Sequence, residues 1–158
     1  MITEVYHGSY MTVDKPVIMP YTRPLDFGAG FYVTTFYNQA KLWAEKKARR
    51  FDGIPTVSKY TLNLDGLIIK EFEIADEEWI DFVVSHRQSK TALKHEYDVI
   101  IGEVADDQIF DSIALYVREI YTKERLIQEL KTKIKNNQLC LATEKALKNL
   151  SFKGADKL

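Results

Sequence analysis

The chain has 158 residues, 22 basic against 23 acidic side chains and a net charge of −1, which predicts one soluble domain with a single ordinary core and argues against nucleic-acid affinity driven by bulk charge. One cysteine, Cys140, excludes an intrachain disulfide, and apolar runs such as Val99 to Ile101 fall far short of the ~20 residues of a membrane span. No basic region followed by an apolar run opens the sequence, so a cytoplasmic protein without membrane association is expected, with one domain over 1–153 and a frayed tail over 154–158.

Thr3 to His7 reads as a first strand closed by a Gly8-Ser9 turn, which puts His7 at a strand end. Pro16, Pro20 and Pro24 remove amide donors between Asp14 and Gly30, so a long irregular loop is predicted. Phe31 to Thr35 is the second strand. Ala40, Trp43, Ala44, Ala48 and Phe51 then recur at helical spacing, giving an amphipathic helix from Tyr37 to Phe51. On its other face the run Lys46-Lys47-Ala48-Arg49-Arg50 reads as a solvated surface.

Asp52-Gly53-Ile54-Pro55 is a turn, and Thr56 to Leu64 alternates with Ser58, Tyr60, Leu62 and Leu64 on one side. Asp65-Gly66 separates this segment from Leu67 to Phe72, so two antiparallel strands joined as a hairpin are predicted. Trp79, Phe82, Val83 and His86 mark a helix between Asp76 and Arg87, with acidic residues in its first turn. Tyr97 to Val104 is a buried type of strand. Asp106 is a good N-cap for a helix with Ile109, Ile113 and Ile120 facing inward, and Thr122 caps another bearing Leu126, Leu130 and Ile134. Gln138 to Ala142 is the last central strand, Thr143 caps a short helix, and Ser151 to Lys153 adds an edge strand. Strands and helices in this irregular order predict an α+β fold rather than a doubly wound parallel sheet.

Several chemistries are excluded by pattern. Asp26-Phe27-Gly28 matches a kinase triplet without its companion motifs, and Gly28 and Gly30 lack the context of a dinucleotide fingerprint, so they read as turn glycines of positive φ. His7, His86 and His95 show no ligand spacing with Cys140 or a carboxylate cluster, and no metal is expected. Cys140 lies inside an apolar strand, where a thiol is inert.

Three segments remain: Tyr6-His7-Gly8-Ser9, Gly30-Phe31-Tyr32-Val33-Thr34 and Asn137-Gln138-Leu139-Cys140. In content and order they resemble the ADP-ribosyltransferase superfamily of the diphtheria-toxin and poly-ADP-ribose-polymerase type. The chain is similar over most of its length to the bacterial DUF3990 family, through these segments and through Leu25-Asp26-Phe27-Gly28, Asp81 to Val84, Tyr97 to Gly102, Val104 to Asp107 and Thr143 to Leu147.

The resemblance implies a split antiparallel β-sheet with peripheral helices and NAD bound in a cleft between the halves. It implies that His7 bonds the nicotinamide-proximal ribose, that Tyr32 stacks on the nicotinamide ring, that Gln138 bonds the ribose 2′-hydroxyl and that the Gly8 backbone holds the nicotinamide amide, with Ser9, Phe31 and Asp26 lining the cofactor. NAD is then the substrate, an unidentified macromolecule the acceptor, and a toxin-type effector held by an inhibitory partner protein suits the size. The usual third residue is a glutamate, whose carboxylate stabilises positive charge on the ribose; Gln138 accepts a hydrogen bond but carries no charge. Either glutamine suffices, or Glu144 or Asp106 supplies the carboxylate, or the domain binds NAD, ADP-ribose or a protein without turnover. Arg87 is a weaker candidate for a phosphate contact.

Overall fold

The computed structural model describes residues 1–19, 25–105, 107–131 and 136–158, with the backbone alone at Asp107 and Phe110. The described chain runs β1 (Ile2–Ser9), β2 (Phe31–Val33), α1 (Tyr37–Phe51), β3 (Thr56–Asn63), β4 (Ile69–Glu71), α2 (Glu77–Gln88), β5 (Val99–Gly102), α3 (Asp107–Val117), α4 (Lys123–Leu130), β6 (Gln138–Leu141), α5 (Glu144–Lys148) and β7 (Leu150–Lys157). The mixed α+β class is as the element pattern predicts. Pro20, Pro24, Asp106 and Ile134 fall outside the described residues.

The strands form two sheets, one ordered β1-β3-β7 and one ordered β2-β6-β5-β4. The first is antiparallel throughout; in the second, β4 pairs with β5 in parallel. The hairpin expectation is therefore corrected. The Asp65-Gly66 turn exists, with Gly66 at φ 78° and Leu67 N–H bonded to the Leu64 carbonyl at 3.3 Å, but the chain leaves it for the other sheet. β3 is already flanked by β1 and β7, so no edge is left for β4.

Alternation along the strands sorts the side chains into layers. Between the sheets lie Val5, Tyr60 and Leu62 from the first and Phe31, Val33, Val99, Leu139 and Leu141 from the second. The outer face of the second sheet carries Ile100 and Cys140, with Tyr32 beside them, against Phe27 and the helical residues Trp79, Ile80, Val83, Ile109 and Leu126. The outer face of the first sheet receives α1 through Ala40, Ala44 and Val57. Alanine at these helix positions allows a close approach. A Cβ on Gly8 would lie 2.0 Å from the Ala40 carbonyl oxygen and 2.7 Å from the Ala44 nitrogen, so glycine is what seats α1 on β1.

Two boundaries and the role of one glycine differ from the sequence reading. β1 continues through Ser9, paired with Thr56, so His7 is internal to the strand and Gly8 is no turn. Gly28 does adopt φ 82°, whereas Gly30 is small because Cys140 Sγ and the Leu141 carbonyl press on it. The tail is not frayed: β7 runs to Lys157, and the Leu158 N–H bonds the Pro55 carbonyl at 2.9 Å.

Candidate functional site

The two sheets meet along β1 and β2. Tyr6 and Thr34 exchange backbone hydrogen bonds of 2.8 and 2.9 Å, and this bridge is the extent of the ladder between the two strands among the described residues. Within a strand the N–H and C=O of one residue point to the same edge, and residues two apart share that edge. The backbone groups of Gly8 therefore face β2 in step with those of Tyr6, at the place where the sheets part.

Antiparallel register would set Gly8 opposite Tyr32. Instead the Tyr32 carbonyl lies 2.7 Å from His7 Nδ1. A carbonyl only accepts, so Nδ1 carries the proton and Nε2 keeps its lone pair. The imidazole lies on the Phe31 ring, with centroids 4.4 Å apart and planes at 31°. Burial first, and then the Lys47 ammonium, hold its pKa down to about 4 against the bond to Tyr32, which raises it. His7 is thus neutral at pH 7, with an acceptor nitrogen fixed by the backbone of a neighbouring strand.

Tyr32 and Gln138 belong to a different environment. Tyr32 pairs with Cys140 across β2 and β6, and Gln138 lies two residues before Cys140 on the same face. The Tyr32 hydroxyl donates to the Gly28 carbonyl at 2.6 Å and accepts from the Phe27 N–H at 3.1 Å. Burial raises its pKa well above the usual phenol value. These bonds fasten the loop before β2 rather than leaving the phenol to meet a ligand.

Gln138 is buried, and its amide nitrogen donates to Asp26 Oδ2 at 2.8 Å and to the Glu103 carbonyl at 3.3 Å. Asp26 is itself buried. Its Oδ2 also accepts the Ala105 N–H at 3.0 Å, and its Oδ1 accepts Arg87 Nε at 2.6 Å and forms an ion pair with Arg87 Nη2. The carboxylate is saturated by protein donors, and Arg87 is committed to it.

The expected convergence of His7, Tyr32 and Gln138 is accordingly corrected. His7 lies against Phe31, on the face of β2 opposite the Tyr32 side chain, because adjacent strand residues project to opposite sides. What His7 shares with Tyr32 is the backbone carbonyl. Glu144 is exposed in α5, beyond the end of β6 opposite Gln138, so it is remote from that residue. Asp106 lies outside the described residues. Ser9 is buried in β1, and Cys140 is buried with its thiol pushed up to about 12 by desolvation.

Among the described residues, one concavity of about 200 Å³ is lined by Arg87, Ile113, Val117 and Arg118 and another by Glu4, Tyr6, Lys59 and Lys153; neither lining includes His7, Tyr32 or Gln138. The network joining Asp26, Arg87 and Gln138 carries no local sequence signal, since its members are 61 and 112 residues apart. Asp26 and Arg87 each stand in the sequence as single candidates, and only the fold makes them partners.

The family model described as "Protein of unknown function (DUF3990)" matches residues 3–152, so the chain belongs to that family. No curated protein and no solved structure matches it.

Proposed function

Taking this DUF3990 membership as the premise, we propose that the protein is an ADP-ribosyltransferase-like domain that binds NAD where β1 and β2 part and transfers ADP-ribose to a macromolecular acceptor. The observation that carries the reading is the fixed tautomer of His7 beside the Gly8 backbone. A neutral imidazole with Nε2 as acceptor suits a ribose hydroxyl, and a strand N–H and C=O on the edge toward β2 suit the donor and acceptor of a nicotinamide carboxamide. In the reaction the bond between ribose C1′ and the nicotinamide nitrogen breaks, a bond from C1′ to the acceptor oxygen or nitrogen forms, and the acceptor loses a proton. His7 orients the sugar. Positive charge gathers on the ribose ring as nicotinamide leaves, so orientation and nearby dipoles govern the rate.

Purified protein incubated with labelled NAD and a cell extract releases nicotinamide and labels a macromolecule, and a His7→Ala variant with an unchanged circular dichroism spectrum loses most of both. Release by the variant at the wild-type rate would remove His7 from the reaction.

A second reading is favoured by the Gln138 carboxamide, which is held by Asp26 and the Glu103 carbonyl. With Gln138 spent on these interior bonds, it does not serve beside His7 as the third residue of a transferase, which matches a domain that binds NAD or ADP-ribose without turnover. Saturable heat of binding with NAD, with no nicotinamide released, separates this module from the transferase.

A further inference from the structure

The basic stretch of α1 adjoins an exposed apolar patch. Between Lys41 and Asp52 five basic residues stand against two acidic ones, in a chain whose net charge is −1. Lys41, Lys46, Arg49 and Arg50 are exposed, because the opposite face of the helix, Ala40, Ala44 and Ala48, is the buried one. The dipole of α1 accounts for cations in its last turn. It does not account for the apolar groups beside them.

Those groups come from three segments: Phe51 ends α1, Tyr10 and Met11 follow β1, and Ile54 precedes β3. The Tyr10 and Phe51 rings lie 5.0 Å apart, the Ile54 N–H donates to the Tyr10 carbonyl at 3.1 Å, and the Arg50 guanidinium sits 5.3 Å from the centre of the Phe51 ring. Ring and backbone contacts thus hold one ridge, and Arg50 joins it to the basic face. Met11, Phe51 and Ile54 are each more than half exposed, and Leu42, one turn before Lys46 on the basic face itself, is 65% exposed. A single exposed apolar side chain is ordinary, whereas a group of them fixed beside unburied cations marks a contact surface.

We propose that the exposed face of α1, with the ridge of Tyr10, Met11, Phe51 and Ile54, docks the protein on an anionic lipid bilayer. Headgroup phosphates and carboxylates match the cations, and the boundary of the acyl chains takes up the apolar side chains. Nucleic acid would match the cations and stack on Tyr10 or Phe51, but the aliphatic Leu42, Met11 and Ile54 offer bases no stacking surface. The contact is peripheral, since no helix among the described residues is long and apolar enough to cross a membrane. It revises the expectation of no membrane association, which rested on the shortness of the apolar runs, and it stands independently of the NAD reading.

Vesicle flotation tests it, with phosphatidylcholine alone and with about 30% phosphatidylserine added, on the wild type and on two double variants, Arg49→Gln with Arg50→Gln and Met11→Ser with Ile54→Ser, each shown by circular dichroism to be folded. The wild type is expected to float with the phosphatidylserine vesicles only and to be released by salt at about 0.5 M. The arginine pair should lower the partition coefficient by at least about tenfold, and the apolar pair by about fivefold at unchanged charge. Wild type that floats with neither preparation overturns the proposal, and so does an apolar pair that floats as well as the wild type. Tighter binding to a single-stranded RNA oligonucleotide than to the vesicles, at matched phosphate concentration, would overturn it in favour of nucleic acid.

Discussion

At the scale of single residues, His7 and Gly8 matter for different physical reasons. His7 is an ordinary base in the unfolded chain, near pH 6.5, and is held down to about 4 in the folded protein. Between those values the unfolded chain binds more protons, so stability is complete above pH 6.5 and is lost as pH falls toward 4. The loss from this residue is on the order of 2–3 kcal/mol. Urea unfolding of the wild type and of His7→Gln from pH 7.5 to 4.5 measures it: the difference between the two should shrink or change sign on the acid side, and parallel pH profiles would contradict it. Gly8 was legible as a special position but not as the right one. The sequence reading made it a turn, whereas it is a strand residue pressed by backbone atoms of α1. Gly8→Ala must push the helix away and should destabilise by about 3 kcal/mol, read as a fall in urea midpoint. A loss below about 0.5 kcal/mol would mean that α1 moves at little cost.

At the scale of elements, short-range signals did well where the chemistry is local. Thr122 and Thr143 stand as N-caps, accepting from the Arg125 and Ala146 N–H groups at 3.1 Å each. Thr122→Ala should cost about 1 kcal/mol. Thr143→Ala should cost more, because the same hydroxyl donates to Asp98 at 2.7 Å, and Asp98 also accepts the Ile68 N–H. Thermal unfolding of the two variants under one condition checks the order; equal losses would show that the Asp98 contact contributes nothing. Alternation on β3 was equally legible, since Tyr60 and Leu62 do share the face between the sheets. The Asp65-Gly66 signal misled because a tight turn fixes the chain reversal and not the partner. Pairing is decided by which edges are vacant, and that is a property of the assembled sheets. The same limit hid β7: Gly154, Ala155 and Asp156 have little strand preference of their own, and the ladder to β3 recruits them. Removing 154–158 should therefore lower the midpoint of thermal unfolding, since it strips the Tyr37 and Lys59 contacts to Asp156 along with the backbone pairing.

For the whole molecule, the α+β class follows from the order of elements, while the meaning of the distant triplet does not. Sequence order brings His7, Tyr32 and Gln138 together as types of residue. The fold assigns them separate tasks: Gln138 and the Tyr32 phenol fasten the interior around Asp26 and Gly28, and His7 rests on the Tyr32 carbonyl at the parting of the sheets. No periodicity announces which face of a three-residue strand such as β2 will look outward. The Asp26 to Arg87 pair belongs to the same interior. Asp26→Ala leaves the half-buried Arg87 guanidinium without its carboxylate and Gln138 with the Glu103 carbonyl as its remaining acceptor, and the stability lost should be about 2–3 kcal/mol. Denaturant titration measures it, and a loss under about 1 kcal/mol would mean that Arg87 escapes to solvent.

The proposal that unites these scales is that a dinucleotide enters where β1 and β2 separate. Crystals grown with NAD test it most directly. The account predicts the nicotinamide carboxamide on the N–H and C=O of Gly8 and a ribose hydroxyl within about 3 Å of His7 Nε2. NAD bound away from β1, or a saturated crystal in which His7 and Gly8 touch no part of it, would contradict it.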